Sequence, residues 1–323
     1  MKTSIDVVSL TDRVRWDMAH ARSGIPSHGW TFNRALTASG MEPLIATVEH
    51  DSGTMIMVFY MREWRGYLDI CTTLSVSGAI MTRADPVLLD TWRGYAISRG
   101  WVAGYLQFEP ESRLEGILDA APGNSVFLVD LDQAFPPDRV SEIIRRKIRR
   151  AEAGGVRLVE DRTALARAVI QLYPETMRRA GAGPHYSFSA ATLDAWANDP
   201  GSLVIGAALE SGIEAVGIFP VTGHRAEFHI GASSMAGRDL SAWLIWQAMA
   251  RLRERGVARL NLGGGTRPGD GLYQFKAKFG GTALPLQAVR QVYRPDVYDK
   301  LCREAGGSAG WFPAYRSSFR ATS

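Results

Sequence analysis

The sequence predicts a mixed α/β protein in which one domain design is laid down twice in tandem, with α+β mixed sheets in each copy. The first sign is an internal echo. Leu88 to Gly100 reads as a helix closed by glycine, and Trp101 to Leu106 as the strand after it. Leu244 to Gly256 and Val257 to Leu262 repeat that grammar, so that Leu88 falls over Leu244, Arg99-Gly100 over Arg255-Gly256 and Leu106 over Leu262, at a constant offset of 156 residues. The second sign is that apolar runs reading as hairpin strands precede each helix. The third is length, since 323 residues suffice for two cores.

The elements follow in order. Thr54 to Tyr60 and Tyr67 to Thr72 form the first hairpin, ahead of the first helix and its strand. Gln133 to Asp138, with two prolines, marks a turn and helix start, which places the domains at 1–138 and 139–323. Val140 to Ala153 is a helix ended by Gly154-Gly155, with Val140, Ile143, Ile144, Ile148 and Ala151 on the apolar stripe. Arg145, Arg146, Lys147, Arg149 and Arg150 cover its remainder, either as a solvated face or as a stripe for phosphates of a nucleic acid or substrate. Leu203 to Leu209, Ala215 to Val221 and Ala226 to Gly231 supply the strands of the second copy. Its helix carries Trp243, Trp246 and Met249 at core spacing, and its last strand ends in Gly263-Gly264-Gly265 before a helix with Phe275, Lys276 and Lys278. From Gly306 the tail reads as loose.

Composition excludes several classes. No apolar run reaches the roughly 18 residues of a membrane span, and the chain meets Asp6 before any stretch that would serve as a signal peptide, so a cytoplasmic protein is expected. Two cysteines, Cys71 and Cys302, build neither a disulfide framework nor a four-thiolate metal site. None of the six histidines is paired at i, i+4 spacing, and no metal is expected. There is no G-x-G-x-x-G and no Walker A loop. Gly306-Gly307-Ser308-Ala309-Gly310 matches a nucleophile elbow formally, but it follows a charged helical stretch instead of a strand. The net charge is only +4, so any polyanion site must come from local clustering.

The segment Leu260 to Gly281 contains Leu262-Gly263-Gly264-Gly265 and then Gly271-Leu272-Tyr273-Gln274-Phe275-Lys276-Ala277-Lys278-Phe279-Gly280. This resembles the FemABX family, the peptidoglycan-bridge aminoacyltransferases and their relatives, built from two tandem domains of the GNAT acyltransferase fold. Further likenesses are Arg15-Trp16-Asp17, the polar segment Pro26 to Arg34 with Trp30, the basic helix ending in Gly155-Val156, and the T-x-R element at Thr176 to Arg178. No heptad run matches the coiled-coil arm of the bridge-forming members from Gram-positive cocci, and relatives exist that act on small metabolites or peptides.

The resemblance implies an aminoacyl-tRNA donor as co-substrate, no bound cofactor, and a small-molecule or peptide amine acceptor, in a monomer or dimer. Lys276, beside Phe275, is implied as the charge that stabilises the reaction at the tRNA 3′ end. Arg34, with Trp30, and Thr176 with Arg178 are implied at the acceptor. Gly263, Gly264, Gly265, Tyr273 and Lys278 are expected to line the substrate site, and Arg145, Arg146, Lys147, Arg149 and Arg150 to meet tRNA phosphates. A GNAT fold otherwise holds acyl-CoA on a glycine-rich loop, and Ser233 to Ser241 offers one glycine where two small positions are needed. An acyl-CoA N-acyltransferase and a non-catalytic RNA-binding module are the alternatives. Asp270 reads as a helix cap, and His229 as either a general base or a core histidine.

Overall fold

The computed structural model describes residues 3–72, 77–112, 114, 116–117, 120–131, 139–183, 186–265, 267–306 and 311–320. The chain forms two compact units, one from Met1–Ser23, Met41–Gly123 and Pro285–Ser323, the other from Gly24–Gly40 and Asn124–Leu284. A single division after residue 138 therefore does not describe the structure, because each unit draws on stretches from both sides of it. Residues 133–138 themselves lie outside the described residues.

In the first unit, β1 (Ser4–Ser9), β2 (Pro43–His50), β3 (Gly53–Trp64) and β4 (Tyr67–Thr72) form an antiparallel meander, flanked near its start by helix α1 (Arg13–Ser23). The two-residue β5 (Ile80–Met81) pairs with β3. Helix α3 (Pro86–Ser98), capped by the Asp85 carboxylate on the Val87 amide, leads to β6 (Ala103–Gln107), which lies parallel to β4. The outer partner of β6 is β14 (Thr282–Val292), antiparallel over Ala288 to Val292, with helix α9 (Pro295–Ala305) after it.

The second unit repeats this order. Strands β9 (Ser202–Leu209), β10 (Gly212–Thr222) and β11 (Arg225–Glu227) run antiparallel, and β13 (Arg259–Asn261) lies parallel to β11. The outer partner of β13 is β7 (Ala120–Asp130), antiparallel. In each unit the strand paired with β6 or β13 on this side thus comes from the other half of the sequence: β7 precedes α4 to α7 of the second unit, and β14 follows them. Strand β8 (Arg157–Val159) extends the sheet beyond β9, and α4 (Glu142–Ala153), α5 (Arg162–Ala180), α6 (Ala190–Asn198), α7 (Ser241–Glu254) and α2 (Trp30–Leu36) complete the unit.

The echo holds at the level of single hydrogen bonds. Helix α3 ends with Gly100 N–H on Ile97 O at 2.9 Å and Trp101 N–H on Ala96 O at 3.3 Å. Helix α7 ends with Gly256 N–H on Arg253 O at 2.9 Å and Val257 N–H on Leu252 O at 3.0 Å. The glycines sit at φ 73° and 75°, left-handed values that side chains avoid. Leu88, Ala96 and Leu106 are buried in one core, and Leu244, Leu252 and Leu262 in the other. Trp243 and Met249 are buried as their spacing predicts, with Trp246 packed at the edge.

Two expectations are corrected. Ala226 to Gly231 is not one strand: β11 ends at Glu227, and β12 (Ile230–Ser233) continues against β10 alone. Phe228 N–H still bonds Asn261 O of β13 at 2.8 Å, whereas His229 N–H bonds Ile218 O of β10 at 3.1 Å, so β13 is released at this step. The tail is not loose throughout. Ala314–Arg320 forms 3₁₀ turns in which the Tyr315 hydroxyl (2.9 Å) and Arg316 guanidinium (2.6 Å) donate to the buried Asp69 carboxylate, which also receives Arg62 at 2.7 Å. Residues 307–310, with the formal elbow, lie outside the described residues.

Candidate functional site

The site is built where β13 ends. Asn261 is buried, and its side-chain oxygen accepts from the Gly263 amide at 2.8 Å, turning the chain at a glycine with φ 70°. Leu262 N–H and Gly263 O then bond Phe127 of β7 at 2.9 and 3.2 Å. Gly264 lies so close to β7 that a Cβ there would stand 2.0 Å from Ser125 O, and a Cβ on Gly265 would stand 2.1 Å from the Asp270 carboxylate. Asn124 donates from its side chain to Gly265 O. Thr266 lies outside the described residues.

Asp270 then starts α8 (Gly271–Ala277), one carboxylate oxygen accepting from Tyr273 N–H at 2.7 Å and the other from Arg267 N–H at 3.0 Å. It is the expected cap. One turn on, Lys276 points inward. It is only 7% exposed, its Nζ donates to Gly264 O at 2.9 Å, and the same nitrogen stands 5.7 Å from the centre of the Phe228 ring. Burial lowers its pKa from 10.5 to about 8, with the Asp270 carboxylate pulling the other way. A lysine so held keeps a directed N–H donor where water is excluded, which suits a developing oxyanion.

The neighbours expected around it divide into two kinds. Gly263, Gly264 and Gly265 form the strand end that Lys276 holds. Phe275 stacks at right angles on Phe279, centroids 5.3 Å apart, and Tyr273 on Phe127 at 4.8 Å, so both rings anchor α8 to the core. Lys278 closes α8, and its carbonyl accepts from Ser141 N–H, the cap residue of α4, at 2.9 Å.

Trp30 and Arg34 lie one turn apart on α2, with the exposed guanidinium 5.5 Å over the indole. Thr176 is engaged inside the fold: its hydroxyl donates to Leu172 O, contacts Ser233 O at 3.0 Å and accepts from Ser233 N–H at 2.9 Å. Arg179, one residue beyond the expected Arg178, reaches Ser233 O and Oγ at 3.0 Å. Arg178 itself is exposed. On α4, Arg145 and Arg149 both bond Glu142 and Lys147 bonds Asp239, while Arg146 and Arg150 form no ion pair among the described residues.

His229 is boxed by Phe32, Trp196 and Phe188, at 4.6, 4.5 and 6.3 Å between ring centres. Among the described residues its Nε2 has no hydrogen-bond partner, and burial lowers its pKa to about 3, which favours the neutral ring of a core histidine. Sequence reasoning missed Phe228, Asn261 and Asn124; a buried asparagine directly before the glycines was the one available sign.

The loop after β12 is tied to β10 and to itself. Ser234 N–H bonds Glu214 O and Gly237 N–H bonds Ser234 Oγ, both at 2.9 Å, and the Ser234 hydroxyl bonds the Glu214 carboxylate. Ser211 and Ser234 hold that carboxylate below its ordinary pKa.

Among the described residues no helix is long and apolar enough to cross a membrane, and no group of three or more His, Cys, Asp or Glu is placed to hold a metal ion.

Residues 138–277 match the family model described as an acetyltransferase (GNAT) domain. FemX has a similar structure, at 12% identity and TM-score 0.67, over 93% of this chain and 99% of FemX. So do the C-terminal domain of a putative lysylphosphatidylglycerol synthetase from Agrobacterium fabrum (18% identity, TM-score 0.61, 92% and 95% of the two chains) and L-PGS from Bacillus licheniformis (15%, 0.58, 86% and 91%). No curated protein matches the sequence. Residues 138–277 therefore match a GNAT acetyltransferase domain, and the chain shares its fold with FemX.

Proposed function

We propose that the protein transfers an aminoacyl group from aminoacyl-tRNA to an amine on a small molecule or peptide, in cell-wall peptide or specialised-metabolite assembly. The amine nitrogen attacks the ester carbonyl, a C–N bond forms as the C–O bond to the ribose breaks, the amine gives up a proton and the ribose oxygen takes one. Lys276 offers its N–H to the oxyanion between these events. Trp30 and Arg34 meet the acceptor, and the names of the FemX and lysylphosphatidylglycerol synthetase neighbours are in keeping with an aminoacyl group as cargo.

The observation that carries the donor assignment is the loop after β12. A CoA pyrophosphate needs free amides at the helix start. Here the Ser234 amide is bonded to Glu214 O of β10 and the Gly237 amide to Ser234 Oγ, beside an ionised Glu214 that repels phosphate. The test is to incubate the protein with amino acids, synthetases and total tRNA, or with acetyl-CoA, and to follow transfer to a metabolite pool with and without RNase. Transfer of amino acids that RNase abolishes is expected. RNase-resistant transfer from acetyl-CoA overturns the assignment.

A further inference from the structure

Ser27 and Glu227 stand 200 residues apart in the chain, yet the Ser27 hydroxyl donates to Glu227 Oε1 at 3.3 Å. Both are buried, at 0% and 2% exposure. Two positions along the strand, His229 meets Phe32 ring to ring at 4.6 Å. Residues 24–40 therefore grip Glu227 and His229, while Phe228, the residue between them, lies against Lys276 at 5.7 Å and stacks on Phe219 at 5.0 Å. Three successive residues thus serve two partners: the segment that carries Trp30 and Arg34, and the lysine at the end of β13.

The segment is also held by side chains that bond its backbone carbonyls and by Phe32 stacked on Trp196. Trp196 Nε1 donates to Phe32 O at 3.0 Å, the Thr192 hydroxyl to Ala35 O at 2.9 Å, and Asn33 folds back on Ser27 O and Gly29 O, both at 2.9 Å. The Trp196 and Thr192 bonds fix α2 on α6. The bond to Glu227 joins its near end to the strand that carries Phe228.

We infer that Glu227 is a positioning residue: through Ser27 it sets residues 24–40, and with them Trp30 and Arg34, in register with Lys276. This rests on the reading in which Trp30 and Arg34 meet the acceptor. A buried carboxylate that accepts a hydroxyl proton is a directional anchor, and glutamine keeps an acceptor oxygen there whereas alanine does not.

The test compares Glu227→Ala, Glu227→Gln and Ser27→Ala in the full chain by hydrogen–deuterium exchange and steady-state kinetics. The alanine variants are expected to speed exchange across residues 24–40 and leave 271–277 unchanged, with Glu227→Gln close to wild type. The acceptor KM rises about tenfold in the alanine variants, while kcat at saturating acceptor and the donor KM hold. Wild-type exchange across 24–40 in both alanine variants, or a fall in kcat with KM unmoved, overturns the inference. If Glu227→Ala does not fold, Ser27→Ala decides from the other side of the same bond. If the wild-type protein transfers nothing to any acceptor, the functional reading fails, and the exchange data still judge the positioning.

Discussion

Lys276 Nζ donates to the carbonyl of Gly264 at 2.9 Å, joining the one turn of α8 that faces inward to the strand end it follows in sequence. Because its pKa of about 8 lies below the ordinary 10.5, the fold disfavours the ammonium. The resulting cost is fully present below about pH 8 and is relieved as pH climbs from 8 toward 10.5. Lys276→Met is therefore expected to raise stability at pH 7 by on the order of 2 kcal/mol, read from denaturant midpoints, while transfer falls at least 100-fold. In the wild type, kcat/KM declines above about pH 8 as the ammonium is lost; a flat profile to pH 10 contradicts that role.

Gly264→Ala tests the strand end itself. Its new methyl would meet Ser125 O at 2.0 Å, so β13 and β7 must part. A destabilisation of about 1–3 kcal/mol is expected, together with a rate loss, because the displaced carbonyl is the one that holds Lys276. Thermal melts and transfer assays on the same preparation check both.

His229 predicts the acid limb of stability. Its pKa of about 3 lies below the ordinary 6.5, so between those values the unfolded chain binds a proton that the folded one refuses. Stability present above pH 6.5 is lost on the way down to 3. His229→Phe is expected to flatten that loss in melts recorded across the range, and an unchanged slope assigns it to other groups.

The basic helix predicts an uneven response to charge removal. Arg145, Arg149 and Lys147 already form ion pairs with carboxylates, whereas Arg146 and Arg150 form none among the described residues. If α4 meets tRNA, Arg146→Gln with Arg150→Gln is expected to lower the slope of log affinity against log salt by about 2, and Arg145→Gln with Arg149→Gln by less. Filter binding at several salt concentrations separates the pairs; equal slopes for all variants make α4 a solvated face.

The exchanged strands β7 and β14 predict that neither half stands alone. Residues 1–138 lack β14 and residues 139–323 lack β7. Each half expressed separately is expected to melt without a cooperative transition, and the two together to regain one, as followed by circular dichroism. A cooperative melt for either isolated half speaks against the exchange.

Much of this was legible because local rules and the global fold agree. The helix stops at Gly100 and Gly256 were written in a glycine that alone takes φ near 75° without strain, and the Lys276 segment was readable as a motif. Other features depend on residues far apart in sequence. Nothing local reveals that Asn124 bonds Gly265, that Ser27 bonds Glu227, or that Thr176 is engaged with Ser233, because each partner is an ordinary polar residue until the sheet closes. The tail was misread for the same reason: Tyr315 and Arg316 find their partner, Asp69, some 246 residues earlier. Sequence order likewise hides that each compact unit draws on stretches from both sides of residue 138.

That exchange also sets the order of synthesis. Strands β1 to β6 of the first unit are made early, but β6 lacks its antiparallel partner until β14 has been made, more than 170 residues later. The second unit has all its strands by Asn261, with β7 supplied before α4 to α7. The part of the protein made first is thus the last able to close, and during elongation the unpaired edge of β6 is the surface a chaperone must guard.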